Sequence, residues 1–306
     1  MSERVAYDEF SMFHENAEEY GIAFDGPPAV RREQVEVAPG RSLSALVWGT
    51  TPPELVLLHG GGQNAHTWDT VALALDRPLV AIDLAGHGHS DPIPDGEAVD
   101  HASGARDVAT AIRALAPEAR VVTGMSLGGL ITIALYAHAP ELVRRMALID
   151  ITPGVTREKA KAISAFINGP VGFDSFDDIL ARTIEHNPTR TVSSLRRGVL
   201  HNAKQLDDGT WVWRYARGRG LPPRDEAAAM QEYAALWDVV SSIEVPLLLA
   251  RGMRPQSVVD DADEAELLRR CPHAQVEHFQ EAGHSIQGDM PIELAAALKS
   301  FVCSDR

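Results

Sequence analysis

A serine hydroxyl that is to attack a carbonyl needs clearance from the backbone, a base within reach and a place for negative charge to collect. The stretch Gly124-Met125-Ser126-Leu127-Gly128 supplies the first of these. It follows the apolar run VVT and opens the helix-like LGGLITIALYAHA, which puts Ser126 at a strand-to-helix joint. A sharp turn there lifts the hydroxyl away from the chain and brings two lengths of backbone together. Side chains at the flanking positions would collide, and glycine fills them. The start of the helix adds unpaired N–H groups and a positive dipole end beside the hydroxyl. A Gly-x-Ser-x-Gly match alone is weak, and a serine in a plain glycine turn is its bland alternative. A strand before it and a helix after it are the context that makes it a nucleophile site.

The base must come from elsewhere. Among twelve histidines, His284 stands out because EAGHSIQGDMP follows the last predicted strand, on the side of the sheet where the serine turn lies. His273 and His278 lie before or within that strand and are weaker candidates. A carboxylate is then needed to orient the imidazole and steady its cation. Asp150 ends the strand-like RRMALID, where it can reach the same histidine. Asp260 and Asp261 begin DADEAELL and look like the N-cap and first turn of a helix. Asp83, before LAGHGHS, reads as an anchor for that loop.

These side chains must be held by a frame. ELVLLHG (54–60), PLVAIDL (78–84), RVVTGMS (120–126) and RRMALID (144–150) are short, apolar on both faces and separated by helical stretches. Such alternation predicts a mostly parallel sheet flanked by helices, an α/β fold. EQVEVAPGRSLSALVWG (33–49) reads as two strands joined at Pro39-Gly40. Tyr7, Phe10, Phe13, Ala17 and Tyr20 fall at helical spacing and predict an amphipathic N-terminal helix. From Thr152 the alternation stops; REKAKAISAFI and FDDILARTIEH read as helices and QLDDGTWVWRYARG as a hairpin. VPLLLARG (245–252) and AQVEHFQ (274–280) then resume the buried-strand pattern. Residues 1–151 and 241–306 are therefore expected to form one core domain, with 152–240 inserted as a mainly helical cap.

From about residue 30 onward the chain resembles the α/β-hydrolase fold superfamily, of the capped serine esterase and thioesterase type. The motifs that carry the resemblance are LLHGGG after the third strand, DLAGHGHSD after the fourth, GMSLGG at the serine turn and EAGHS near the C-terminus. The resemblance implies an oxyanion hole made by the N–H groups of Gly61 and Leu127, where loss of one donor costs about 3 kcal/mol of transition-state stabilisation. It also implies His284 as the base. Many relatives carry the acid four residues past the glycine of RG, but that position is Gln256, which cannot hold a negative charge. Some similar esterases use the end of the adjacent strand, so Asp150 is preferred to Asp260 or Asp261. A serine rather than an aspartate at the turn disfavours the epoxide-hydrolase and dehalogenase branches. His59 reads as a loop-holding residue.

The predicted chemistry is hydrolysis of a carboxylic ester or thioester with a medium apolar acyl part, through an acyl-enzyme on Ser126. A lactonase, a carbon–carbon bond hydrolase and a cofactor-free perhydrolase use the same triad and stay open. A small-molecule receptor on the same fold is the alternative of another class. Trp211 and Trp213 share one strand face, continued by Tyr215, and are candidates to line an acyl pocket. Arg214, Arg217 and Arg219 read as a basic turn, with a coenzyme A contact as the other reading. No cofactor is expected. No metal is expected either: His87 and His89 sit in a glycine-rich turn with no third ligand. A net charge of −15 argues against nucleic acid and anionic membranes as partners. No apolar run approaches the roughly 20 residues that span a bilayer. The acidic N-terminus does not read as a secretory signal, and Cys271 and Cys303 lack metal-ligand spacing. A cytoplasmic monomer or homodimer acting on a small acyl substrate is the expectation.

Overall fold

The computed structural model describes residues 4–94, 100–215 and 226–304, and only the backbone of 226–229. In chain order the first part holds α1 (Phe13–Tyr20), β1 (Val30–Ala38), β2 (Arg41–Trp48), β3 (Leu55–Leu58), α2 (Asp69–Leu75), β4 (Leu79–Ile82), α3 (His101–Leu115), β5 (Val121–Met125), α4 (Leu127–His138) and β6 (Met146–Ile149). Next come α5 (Lys161–Ile167), β7 (Gly172–Phe173), α6 (Phe176–His186), α7 (Val192–Asn202), β8 (Ala203–Gln205), β9 (Trp211–Trp213) and α8 (Glu226–Ser241). The chain then closes with β10 (Leu247–Gly252), α9 (Asp261–Arg270), β11 (Gln275–Phe279), α10 (Ile286–Asp289) and α11 (Pro291–Cys303).

Eight strands form one sheet in the order β1-β2-β4-β3-β5-β6-β10-β11. β1 and β2 are antiparallel, as are β2 and β4, and the remaining neighbours are parallel. β3, β4, β5 and β6 are buried at every position, as strands covered by helices on both faces must be. The register carries the functional consequence. Met125 pairs with Ile149, Ile149 with Ala250, and Gly252 with Phe279. The residues just past the ends of β5, β6, β10 and β11 therefore share one rim, which is where ligands bind in open α/β sheets.

Two apolar clusters cover the faces. One joins the sheet to α3, α4, α8 and α9 through residues such as Ile112, Leu135, Leu236 and Leu267. The other joins it to α1, α2 and α11 through Phe13, Trp68, Leu75 and Leu298. Residues 152–240 carry a smaller cluster around Phe173, Ile179, Leu200 and Trp213, beside the three-stranded sheet β7-β9-β8. β8 and β9 pair across the tip 206–210, which is the hairpin read from the sequence. β7, a two-residue strand against β9, has too little sequence to show a period. Among the described residues no helix is long and apolar enough to cross a membrane.

The N-terminal helix is shorter than its apolar spacing predicts. It begins at Phe13, because Asp8 turns the preceding chain: its carboxylate accepts from Phe10 N at 3.0 Å and its carbonyl from Ser11 Oγ at 2.9 Å. Tyr7 is instead drawn towards α7, with its hydroxyl 2.8 Å from His201 Nδ1.

Candidate active site

Ser126 stands between β5 and α4 with φ 50° and ψ −117°, a conformation L-residues rarely adopt. The surrounding glycines explain how the turn closes. A Cβ on Gly124 would lie 2.3 Å from the Gly128 carbonyl oxygen, and one on Gly128 would lie 2.5 Å from that of Leu58. Ser126 N donates to Ile149 O at 3.3 Å, which ties the turn to the residue before Asp150.

Asp150 is fully buried and adopts a left-handed conformation, φ 47°. That bend turns its carboxylate back over β10. Oδ1 accepts from Gly252 N at 2.9 Å and Ser257 Oγ at 2.6 Å, and Oδ2 accepts from Val258 N at 3.0 Å. The remaining bond on Oδ2 is to His284 Nδ1, at 2.9 Å. Gly252 lets the histidine loop come down this far, since a Cβ there would lie 2.2 Å from the Gly283 carbonyl oxygen. With Nδ1 on the carboxylate, His284 presents Nε2. Neither that nitrogen nor the Ser126 hydroxyl has a hydrogen-bond partner among the described residues.

The alternative acids are occupied elsewhere. Asp260 caps α9 by accepting from Asp263 N and is 2.7 Å from Lys159 Nζ. Asp261 is exposed and pairs with Arg251 at 2.7 Å. Gln256 packs its Cβ near Gly283, beside the histidine loop.

The glycine loop after β3 is held by histidines. His59 is completely buried; its Nδ1 bonds Gly60 O at 2.8 Å and its Nε2 accepts from Leu84 N at 2.9 Å. Burial pushes it down to about 3, so it is neutral and able to accept that bond. His87 accepts from Gly62 N at 3.1 Å, and burial lowers it too. Asp83 accepts from Ala65 N at 2.7 Å and His89 N at 3.0 Å, which anchors both loops. Gly60, Gly62 and Gly128 amides are therefore satisfied, by Gln63, His87 and His59 in turn. The Gly61 and Leu127 amides have no acceptor among the described residues.

Ile167 and Asn202 of the inserted segment lie against this loop. Ile167 is 3.7 Å from the position of a Gly61 Cβ, and Asn202 Nδ2 donates to the Gly62 carbonyl at 2.5 Å. Trp211 and Trp213 are both buried on one face of β9. Trp211 packs edge-on to Phe176, whereas Trp213 meets Phe166, Phe173 and Tyr215 and borders a cavity. Arg214 is tied to its own hairpin, donating to Ala203 O at 3.0 Å; Arg217 and Arg219 lie outside the described residues.

Sequence reasoning missed a buried charge cluster next to this cavity. His66, Asp69 and His201 bring their ligand-type atoms within 4.8 Å of one another. The two imidazoles are stacked, with centroids 3.8 Å apart and planes 12° from parallel, so their in-plane lone pairs run along separate planes. Burial lowers a histidine, but Asp69 at 2.9 Å and Glu9 at 3.3 Å outweigh it and raise His66 to about 9. His201 lies farther from Asp69, at 3.6 Å, and burial and the neighbouring His66 charge hold it well below its ordinary value. Glu9 in turn pairs with Arg32, which also reaches Asp83 at 2.9 Å. No local periodicity could have found this group, because its members come from the N-terminal segment, β1, the turn before α2, α2 itself and α7.

A serine on a strained strand-to-helix turn, a buried His–Asp pair at the next strand ends and two unpaired amides define the class of this fold and site. The α/β hydrolase fold family matches residues 53–291, and the chain belongs to it. The chain is 43% identical to Esterase Rv0045c of Mycobacterium tuberculosis over 98% of its own length and 97% of that protein. The crystal structure of that esterase aligns with a TM-score of 0.83, at 41% identity, over 99% of this chain and 100% of its own. The 3-hydroxybutyrate-oligomer hydrolase of Cupriavidus necator is 30% identical over 83% of this chain and 90% of that protein. The crystal structure of E-2-(acetamidomethylene)succinate hydrolase, at 23% identity and a TM-score of 0.74 over 90% of this chain, shares the fold.

Proposed function

We propose that this hydrolase cleaves a carboxylic ester through an acyl-enzyme on Ser126. His284 Nε2 takes the hydroxyl proton during attack and returns it to the leaving alcohol. Asp150 keeps the imidazole in the tautomer with hydrogen on Nδ1 and stabilises its cation. The Gly61 and Leu127 amides receive the oxyanion of the tetrahedral intermediate, and water then releases the acyl group by the same steps. The observation that carries this reading is the 2.9 Å bond between His284 Nδ1 and Asp150 Oδ2, which leaves Nε2 free on the rim that Ser126 occupies. The missing contact between base and nucleophile is compatible with it, since such bonds commonly tighten only when substrate is bound. The name of the relative at 43% identity supports an ester over the other acyl compounds this triad can attack.

In this reading residues 152–240 act as a cap. Ile167 and Asn202 against the Gly61–Gly62 loop support that role, while Leu236 and Val240 of α8 pack into the main core and secure the cap's return. Trp213, with Phe166 and Tyr215, lines the apolar part of the acyl pocket, and Trp211 backs the hairpin that carries it. The setting is the cytoplasm, which two free thiols, Cys271 and Cys303, support.

The test is labelling by a fluorophosphonate probe, followed by a panel of alkyl esters, thioesters and lactones. The native protein is expected to be labelled and to cleave short alkyl esters, and Ser126→Ala to lose both. Native protein that is neither labelled nor active on any ester overturns the assignment.

A further inference from the structure

Arg190, in the turn between α6 and α7, is a cation without a counter-ion. No carboxylate lies within 4.0 Å of it among the described residues, and its Nε is buried with no hydrogen-bond partner. The nearest acids are committed elsewhere: Glu19 holds Arg197 and Thr191, and Asp289 accepts from Gly283 N at 2.9 Å. Its one side-chain bond is to Ser194 Oγ. Burial lowers its pKa, the direction expected for a guanidinium taken out of water without full compensation.

The place is shaped for that group. Gly288 lies against the guanidinium so closely that a Cβ would be 2.7 Å from Nη1. Arg190 borders a cavity of about 140 Å³ whose walls include Gly62 and Gln63 from the oxyanion loop and Ser285 and Gln287 from the segment after His284. Trp213 borders the same cavity, and its Nε1 is a second buried donor without an acceptor. Arg190 and Trp213, each carrying an unpaired donor, both border this space between the two loops. They call for an anionic acceptor. A cavity near 150 Å³ holds a molecule about the size of benzene, so the space suits a short carboxylate.

We propose that Arg190, with Trp213 Nε1 as a second donor, forms a carboxylate-binding subsite, and that the enzyme prefers esters bearing a carboxylate a few carbons from the scissile bond. The substrate class rests on the esterase reading above; the binding site itself does not.

Rates followed by pH-stat would compare ethyl hydrogen glutarate with ethyl pentanoate, and 3-butanoyloxypropanoate with butyl butanoate. The first pair puts the charge on the acyl half and the second on the alcohol half. In at least one pair the charged ester is expected to lead in kcat/KM by roughly 10- to 150-fold, the range of a charge-assisted hydrogen bond. In Arg190→Met that ratio is expected to collapse towards one. Independently of turnover, glutarate is expected to raise the Tm of Ser126→Ala and not that of Ser126→Ala/Arg190→Met. Equal rates within both pairs, or an equal Tm shift in both variants, overturn the subsite. So does an equal Tm shift by sulfate, which marks an unselective anion site. If no ester is cleaved but the glutarate shift depends on Arg190, the esterase reading fails and the site stands. Should Arg190→Met not fold, the wild-type ratios and the glutarate-against-sulfate comparison decide.

Discussion

Asp150 accepts four hydrogen bonds with two oxygens, and each donor is fixed by a backbone or by a side chain with no better partner. An asparagine can accept at one position only; its amide group must face a donor at the other. Asp150→Asn is therefore expected to lower kcat by about 10⁴-fold through the wrong histidine tautomer, with the far-ultraviolet circular dichroism unchanged. Asp260→Ala makes the contrasting case. It removes a helix cap and a contact to Lys159, so denaturant melts should lose about 1 kcal/mol while turnover is retained. Collapse of turnover in the second variant with the first active would reverse the assignment of the acid. Gly128→Ala drives a Cβ to 2.5 Å from a carbonyl oxygen in β3, a backbone atom that cannot rotate away. A loss of about 3 kcal/mol in a urea melt is expected, at the upper end of overpacking costs.

Between elements, the N-terminal segment is docked by charge as well as by apolar contacts. Glu9 bridges Arg32 of β1 and His66 of the turn before α2, and Tyr7 reaches His201 on α7. The pH dependence follows from the shifts. His66 is raised from 6.5 to about 9, so its contribution is complete below pH 6.5 and is lost as pH rises through about 9. Glu9 is opposed by burial but lowered by His66 and Arg32 from 4.5 to about 2, so its contribution is present above pH 4.5 and lost as pH falls through about 2. Thermal melts should show a plateau from about pH 4.5 to 6.5 and a decline towards pH 9. His66→Gln should flatten the alkaline limb; an unchanged limb would mean that other groups set it.

Across the whole molecule, burial is uneven in a way that matches the proposed division of labour. β3, β5 and β6 are buried throughout, with the Ser126 turn and Asp150 following the last two. α5 has no buried residue, yet its Ile167 overhangs Gly61 and Gly62. A helix whose apolar side chains are only partly buried opens at low free-energy cost. Hydrogen exchange should therefore report α5 among the fastest amides and β5 and β6 among the slowest. If α5 proves as protected as the sheet, a mobile roof over the oxyanion loop is untenable. The substrate pocket would then be rigid.

Local pattern was enough to determine the sheet strands, the serine turn and the loop carrying His284, because each depends on the order of neighbouring residues. Apolar runs bounded by turns specify strands wherever they settle, and Gly124 answers a clash made within the Ser126 turn, although Gly128 clears the neighbouring strand at Leu58. The same legibility extended to the loop-holding roles of Asp83 and His59, although their partners Ala65 and Leu84 lie in each other's loops. It failed at Tyr7 and Phe10, where helical spacing was overridden by an Asp8 turn and a bond to distant His201. Only the tertiary structure decided that His284 meets Asp150 rather than Asp260 or Asp261. It alone paired Glu9 with His66 and left Arg190 without a carboxylate. Those outcomes depend on sheet register and on how the inserted residues fold back over the rim, so their partners are neighbours in space and strangers in the chain.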